Sequence, residues 1–187
     1  MKQIIVGTGR SGTGYVSACI NEMGLRCGHE EKFTPRGLSG SLVQRDASWM
    51  AVPYLHAYED AHRVLVWREP EQVIASFLGI NFFTEPSPYL DWQTAHIAAG
   101  QGNTPYQRAC AHWVIWNDMA LKHVDAVMPL HALDWEQLMG DDYSHATVSA
   151  ALARVSTSTN ARRRAQLPAS LPGSVHAMRR RLLAASE

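Results

Sequence analysis

At 187 residues and 46% hydrophobic side chains, the chain suits one compact domain with a sizeable core. Seventeen Lys and Arg balance seventeen Asp and Glu, so no bulk positive field argues for nucleic acid or an anionic membrane as partner. Three cysteines, Cys19, Cys27 and Cys110, form no C-x-x-C pair, and the odd count speaks against a disulfide framework and for a reducing, cytoplasmic setting. No apolar run approaches the ~20 residues that span a bilayer. The first strand signal lies so near Met1 that no signal peptide is expected ahead of it.

In chain order, Gln3–Val6 reads as a buried strand: short, β-branched and closed by a glycine. The glycine-rich run Gly7-Thr8-Gly9-Arg10-Ser11-Gly12-Thr13-Gly14 follows it. From Thr13 to Met23 the apolar residues Tyr15, Val16, Cys19, Ile20 and Met23 keep helical spacing, with Gly24 as C-cap. A strand, a glycine-rich loop and a helix in this order make a phosphate cradle, in which backbone N–H groups and a helix N-terminus face an anion. A nucleotide triphosphatase loop reads G-x-x-x-x-G-K-[ST]. Counted from Gly7, the lysine position is Thr13 and the hydroxyl position is Gly14. The cradle is present without the groups that handle a γ-phosphate and Mg²⁺.

Leu25–Cys27 is expected to be a second short strand, ending at Gly28-His29-Glu30-Glu31. An irregular stretch through Gly40 leads to a short helix around Ser48–Ala57. Arg63–Trp67 is the strongest interior strand signal, and Pro70 fits the first position of a helix through Leu78. Asn81–Gly102 reads as a long loop or lid carrying Phe82, Phe83, Tyr89 and Trp92. Thr104-Pro105 opens the longest helix, to about Val124, with Cys110, Trp113, Met119 and Val124 in its core face. Val127–Leu133 reads as a strand, and residues 144–187 as helical with a break near Leu167–Gly173. Alternating strands and helices imply an α/β fold with a parallel sheet, and ligands then sit beyond the carboxyl ends of the strands. Gly7–Gly12, Gly28–Glu31 and Arg68–Pro70 converge there.

With these elements placed, the chain resembles the sulfotransferases that use 3′-phosphoadenosine 5′-phosphosulfate (PAPS). Arg10-Ser11-Gly12-Thr13 is similar to the R-S-G-T loop that holds the 5′-phosphosulfate in that family, and Arg68 through Ser76 is similar to its 3′-phosphate motif. Asp46-Ala47-Ser48-Trp49 and Trp135-Glu136-Gln137-Leu138 look like weaker family signatures, so the likeness runs over about residues 3–138. The chain departs from the pattern at Gly14, where many members carry Ser or Thr, and in its short length. It also lacks a C-terminal glycine-rich loop, for which Asn160-Ala161-Arg162-Arg163-Arg164 is a substitute candidate.

The resemblance implies a single domain with a three-layer α/β/α sandwich of the P-loop nucleotide-hydrolase type. About residues 81–103 would form a lid or acceptor loop. It implies PAPS as cofactor and in-line transfer of a sulfuryl group to a hydroxyl or amine, on a small-molecule or carbohydrate acceptor, with no metal, nucleic acid or membrane partner. Gly9, Arg10, Ser11, Gly12, Thr13 and Gly14 would hold the phosphosulfate, and Arg68 and Ser76 the 3′-phosphate. Arg10 would be the catalytic cation.

Glu30 is the first candidate for the base, because in an extended segment it shares a face with Gly28 while His29 and Glu31 point away. His29 is its rival, since histidine is the side-chain type that ordinarily titrates nearest neutral pH. Trp49, Trp113 and Trp116 read as core or groove packing, and the clusters Arg162–Arg164 and Arg179–Arg181 as solvated helix faces. Two other readings stay open. A small-molecule or nucleoside kinase would need another cation and a Mg²⁺ ligand. A non-catalytic nucleotide-binding module would bind without transfer.

Overall fold

A computed structural model describes residues 2–41, 44–97, 102–155 and 165–187. Five strands form one parallel sheet in the order β2-β5-β1-β6-β7. They are β1 (Gln3–Val6), β2 (Gly28–His29), β5 (Arg45–Ala47), β6 (His62–Trp67) and β7 (Ala126–Pro129). β3 (Phe33–Thr34) and β4 (Gly37–Leu38) make a small antiparallel hairpin beside it.

The period-two alternation of β1 and β6 sends their side chains into two separate cores. Ile4, Val6, Leu65 and Trp67 enter one, packed with α2 (Pro70–Gly79), α3 (Pro88–His96), α4 (Pro105–Leu121) and α7 (Gly173–Ala184). Ile5, Val64 and Val66 enter the other, against Val16 and Ile20 of α1 (Thr13–Glu22) and Leu138 and Met139 of α5 (Trp135–Met139). α6 (His145–Arg154) lies on α1 on that side. Apolar burial on both faces explains why these strands are continuous hydrophobic runs. Among the described residues no helix is long and apolar enough to cross a membrane.

Several elements differ from expectation, each for an identifiable reason. Leu25–Cys27 is not a strand, because side chains of α1 take its polar groups. Asn21 accepts from the Cys27 N–H at 3.1 Å, and Asn21 and Ser17 donate to the Cys27 carbonyl at 2.7 and 2.9 Å. The strand begins three residues later, at Gly28. The helix at Trp49–Ala57 is 3₁₀, with Pro53 inside it, a residue that cannot donate the i→i−4 bond. The long loop after Asn81 contains α3, started by the Ser87 hydroxyl capping the Leu90 N–H and by Pro88 in the first turn. β5 was not anticipated at all. β7 ends at Pro129 rather than Leu133, and Leu130–Ala132 is a 3₁₀ turn. The segment Asn160–Arg164, and with it the cluster Arg162–Arg164, lies outside the described residues.

One buried imidazole ties the two ends of this architecture together. His112 of α4 is fully enclosed, and its Nε2 donates to the Thr8 carbonyl, 2.9 Å away, at the carboxyl end of β1. A carbonyl only accepts, so the proton sits on Nε2. Burial holds the imidazolium off and lowers its pKa from 6.5 to about 4. The unfolded imidazole takes up a proton below 6.5 and the folded one only near about 4. Stability from this group is therefore complete above the first value and lost as the pH falls to the second, by about 3 kcal/mol in all. Urea unfolding at pH 7 and pH 4.5 is expected to show that loss, and His112→Gln should lessen it.

Candidate functional site

At the carboxyl ends of β1 and β2 lies a cavity of about 380 Å³ with two chemically unlike sides. Its polar side begins with the turn between β1 and α1. Gly9, Arg10 and Gly12 adopt φ of 66°, 57° and 109°, and the turn delivers α1 with its N-terminus at the cavity wall. α1 has no side-chain cap. Its first backbone bond runs from the Val16 N–H to the Gly12 carbonyl at 3.0 Å, so the N–H groups ahead of Val16 have no carbonyl behind them within the helix. Gly12, Thr13 and Gly14 line the cavity at this end. An uncapped N-terminus facing a cavity is a place for an anion.

The glycines of the turn answer to named neighbours. A Cβ on Gly7 would lie 1.9 Å from Ser11 Oγ and 2.7 Å from the Val66 carbonyl. Ser11 thus tucks its side chain back beneath the turn, fully buried, and does not line the cavity. A Cβ on Gly12 would lie 2.6 Å from Leu130 Cδ2. On Gly14 it would lie 3.1 Å from His29 Nε2. The place that a Ser or Thr side chain would take at this position is occupied by the imidazole.

Arg10 reaches the cavity wall and donates from Nε to Ser76 Oγ of α2 at 2.9 Å. Arg68, just past β6, is not among the cavity-lining residues; its Nε donates to Gln72 Oε1 at 2.5 Å. Ser76 is therefore joined to Arg10, whereas the resemblance assigns it, with Arg68, to the 3′-phosphate. Glu69 is held by Arg179 of α7 through two bonds of 2.6 and 3.0 Å, and Arg181 pairs with Asp118 of α4 at 2.7 Å. Two of the C-terminal arginines are thus internal ties.

Glu30 and His29 form the corner opposite the turn. The argument from extended backbone fails here, because Glu30 has φ 59° and both residues line the cavity. Their side chains approach to 3.8 Å between His29 Nε2 and Glu30 Oε1. Glu31 is turned away, exposed, onto Arg26 at 2.8 Å. Glu30 keeps only 16% of its side chain exposed. Tyr89, in the first turn of α3, faces Glu30. Burial first, then the charge of Glu30 and a hydrogen bond to it, push the Tyr89 phenol above its ordinary value.

The apolar side is made of Trp49, Phe77, Ile80, Phe82 and Tyr89. Phe82 and Tyr89 were legible as lid aromatics, while Phe83 and Trp92 belong to the core. Trp113 and Trp116 are wholly buried, as core packing requires. Phe77 and Ile80 gave no functional signal in the sequence, being regular apolar positions of α2 and its end. Comparisons with protein-family models, curated proteins and solved structures returned no match for this chain.

The contact between Gly14 and His29 can be tested without any ligand. Alanine in place of a helical glycine gains about 0.5–1 kcal/mol from backbone entropy. That gain should be missing in Gly14→Ala, where the new methyl presses on the imidazole, and should appear when Gly14→Ala is made in His29→Ala. Thermal unfolding of the two single variants and the double variant measures the difference.

Proposed function

We propose that this chain is a PAPS-dependent sulfotransferase acting on a hydroxyl carried by a flat, largely apolar acceptor. The observation that carries the reading is a single cavity with Arg10 and the uncapped N-terminus of α1 on one side and Glu30 on the other. PAPS fits what lines it. The N-terminal turn of α1 and the Arg10 guanidinium suit a phosphosulfate, and Gly14 puts no side chain between them. When bound, PAPS supplies an activated sulfuryl group on a phosphate leaving group.

The rest belongs to the chain. Arg10, steadied by Ser76, and the α1 amides stabilise negative charge that grows on the leaving phosphate, in a site already oriented for it. Glu30 accepts the proton of the acceptor hydroxyl at its carboxylate. Tyr89 and His29, both against that carboxylate, orient it. Trp49, Phe77 and Phe82 offer ring faces and edges to the acceptor, with few hydrogen-bonding groups beside them, which favours an aryl or fused-ring alcohol over a polyhydroxylated sugar. Arg68 and Ser76 are assigned to the 3′-phosphate only by the likeness of their segment to the sulfotransferase motif. ATP chemistry is disfavoured by Thr13 and Gly14 at the lysine and hydroxyl positions.

Transfer of radiolabelled sulfate from PAPS to 2-naphthol, set beside amines and sugars, tests the activity. A thermal-shift comparison of 3′-phosphoadenosine 5′-phosphate with ATP and NAD tests the ligand. A hundredfold excess over Kd should stabilise by about 2.7 kcal/mol. Glu30→Gln is expected to keep nucleotide affinity and lose about a hundredfold in kcat, the scale of a positioned base. Arg68→Ala should weaken 3′-phosphoadenosine 5′-phosphate tenfold or more while sparing adenosine 5′-phosphosulfate. Equal weakening of the two nucleotides would remove Arg68 from the 3′-phosphate.

A further inference from the structure

Asp46 is the one carboxylate among the buried polar residues described, 2% exposed, on a strand enclosed between β2 and β1. It does not line the cavity. A buried carboxylate needs donors, and this one finds them in backbone. Oδ1 accepts from the Glu31 N–H at 3.2 Å and Oδ2 from the Lys32 N–H at 3.3 Å. Gly28, its register partner on β2, leaves room for it: a Cβ there would lie 2.4 Å from Oδ1. Burial pushes the Asp46 carboxyl up, and the backbone N–H groups of Glu31, Lys32 and Phe33 work against that shift.

The two pinned residues follow Glu30 directly. The turn is fastened elsewhere too, by the Glu30 N–H on the Ala47 carbonyl at 3.3 Å and by Ser39, whose hydroxyl donates to the Glu31 carbonyl at 2.7 Å and whose N–H donates to the Lys32 carbonyl at 2.8 Å. Glu30 sits in the middle of these bonds at φ 59°. A non-glycine residue stays in that region only when its surroundings over-determine it, and such outliers gather where function needs them. Released from its pins, the turn would relax toward extended backbone and carry the Glu30 carboxylate off the cavity corner.

We propose that Asp46 is a positioning residue, a buried carboxylate that pins the backbone of Glu31 and Lys32 and so aims Glu30 into the cavity. The inference rests on Glu30 being the base for its catalytic part, and on geometry alone for its structural part. Asp46→Asn keeps the shape but offers one oxygen, and turns an NH₂ toward the other N–H.

Amide hydrogen exchange in this variant should quicken tenfold or more at Glu31 and Lys32 while Ile4 and Ile5 of β1 stay protected. kcat with PAPS and 2-naphthol should fall about ten- to hundredfold, the effect of a misplacement near 1 Å, with nucleotide Kd within about twofold. Glu30→Gln/Asp46→Asn should be no slower than Glu30→Gln, because a residue acting through Glu30 has nothing left to aim. Unchanged exchange at Glu31 and Lys32, or two substitutions whose effects on kcat multiply, overturns the proposal. A wild-type protein that transfers nothing overturns the sulfotransferase reading, and exchange then decides the pinning by itself. Should Asp46→Asn loosen β1 as well, Glu30→Gly/Asp46→Asn relieves the left-handed strain. Restored β1 protection with fast exchange at Glu31 and Lys32 supports the pin. Lasting loss makes Asp46 a packing element only.

Discussion

The turn from β1 into α1 is the constraint on which the rest of the molecule depends. β1 is the middle strand, hydrogen-bonded to β5 on one side and β6 on the other, so its carboxyl end opens into the centre of the sheet edge. The chain must leave it and start a helix at once. It does so by folding Ser11 against Gly7 and laying Gly12 on Leu130, contacts that leave no space for a Cβ at either glycine. Gly12 also needs φ 109°, which an L side chain adopts only with strain. The Thr8 carbonyl, on the same turn, is taken by His112 from the helical layer. The contacts that close the fold here therefore also set the direction of the α1 N-terminus, and anion binding needs no separate apparatus.

The two sides of the cavity draw on different parts of the protein. The apolar side is the edge of the larger core: Trp49 meets Trp92 and Trp116 with ring centroids 5.4 Å away in each case, and Phe77 meets Phe82 at 5.0 Å. Ring contacts of this kind lock rotamers, so that wall is preorganised at no further entropic cost to a ligand. The polar side is backbone and charge, held by long-range bonds such as Arg10 to Ser76. Each side is rigid for its own reason, and the acceptor hydroxyl would sit at their join.

Much of this was legible in the sequence where a local rule sufficed. β1 and β6 are β-branched apolar runs ending in loop residues, and α2 and α4 begin with proline in the first turn, α4 with a full Thr104–Gln107 capping box. The cavity residues Gly9, Arg10, Gly12, Thr13 and Gly14, with His29 and Glu30, are readable as a motif and its neighbour, although Ser11 of that motif turns out to be buried away from the cavity. β5 was hidden because Arg45-Asp46-Ala47 has no apolar run: Asp46 is satisfied by a turn fifteen residues away in sequence, and Arg45 pairs with Asp142. α3 was hidden although Ser87 and Pro88 announce it, because the glycines and prolines around it outweighed them. The face assignment of Glu30 failed at a single backbone angle, which the contacts with Asp46 and Ala47 decide and no local pattern encodes. Helices lie on both faces of the parallel sheet, as the alternation of strands and helices implies.

Trp49 has an optical consequence. It stands at the cavity edge while its indole contacts those of Trp92 and Trp116, all within the range where excitation passes between rings. Excitation is thereby shared among three indoles, one of which a guest would touch. An aromatic or charged molecule entering the cavity would dim more light than one tryptophan emits, and the chain carries a reporter of occupancy that requires no label and no knowledge of the reaction.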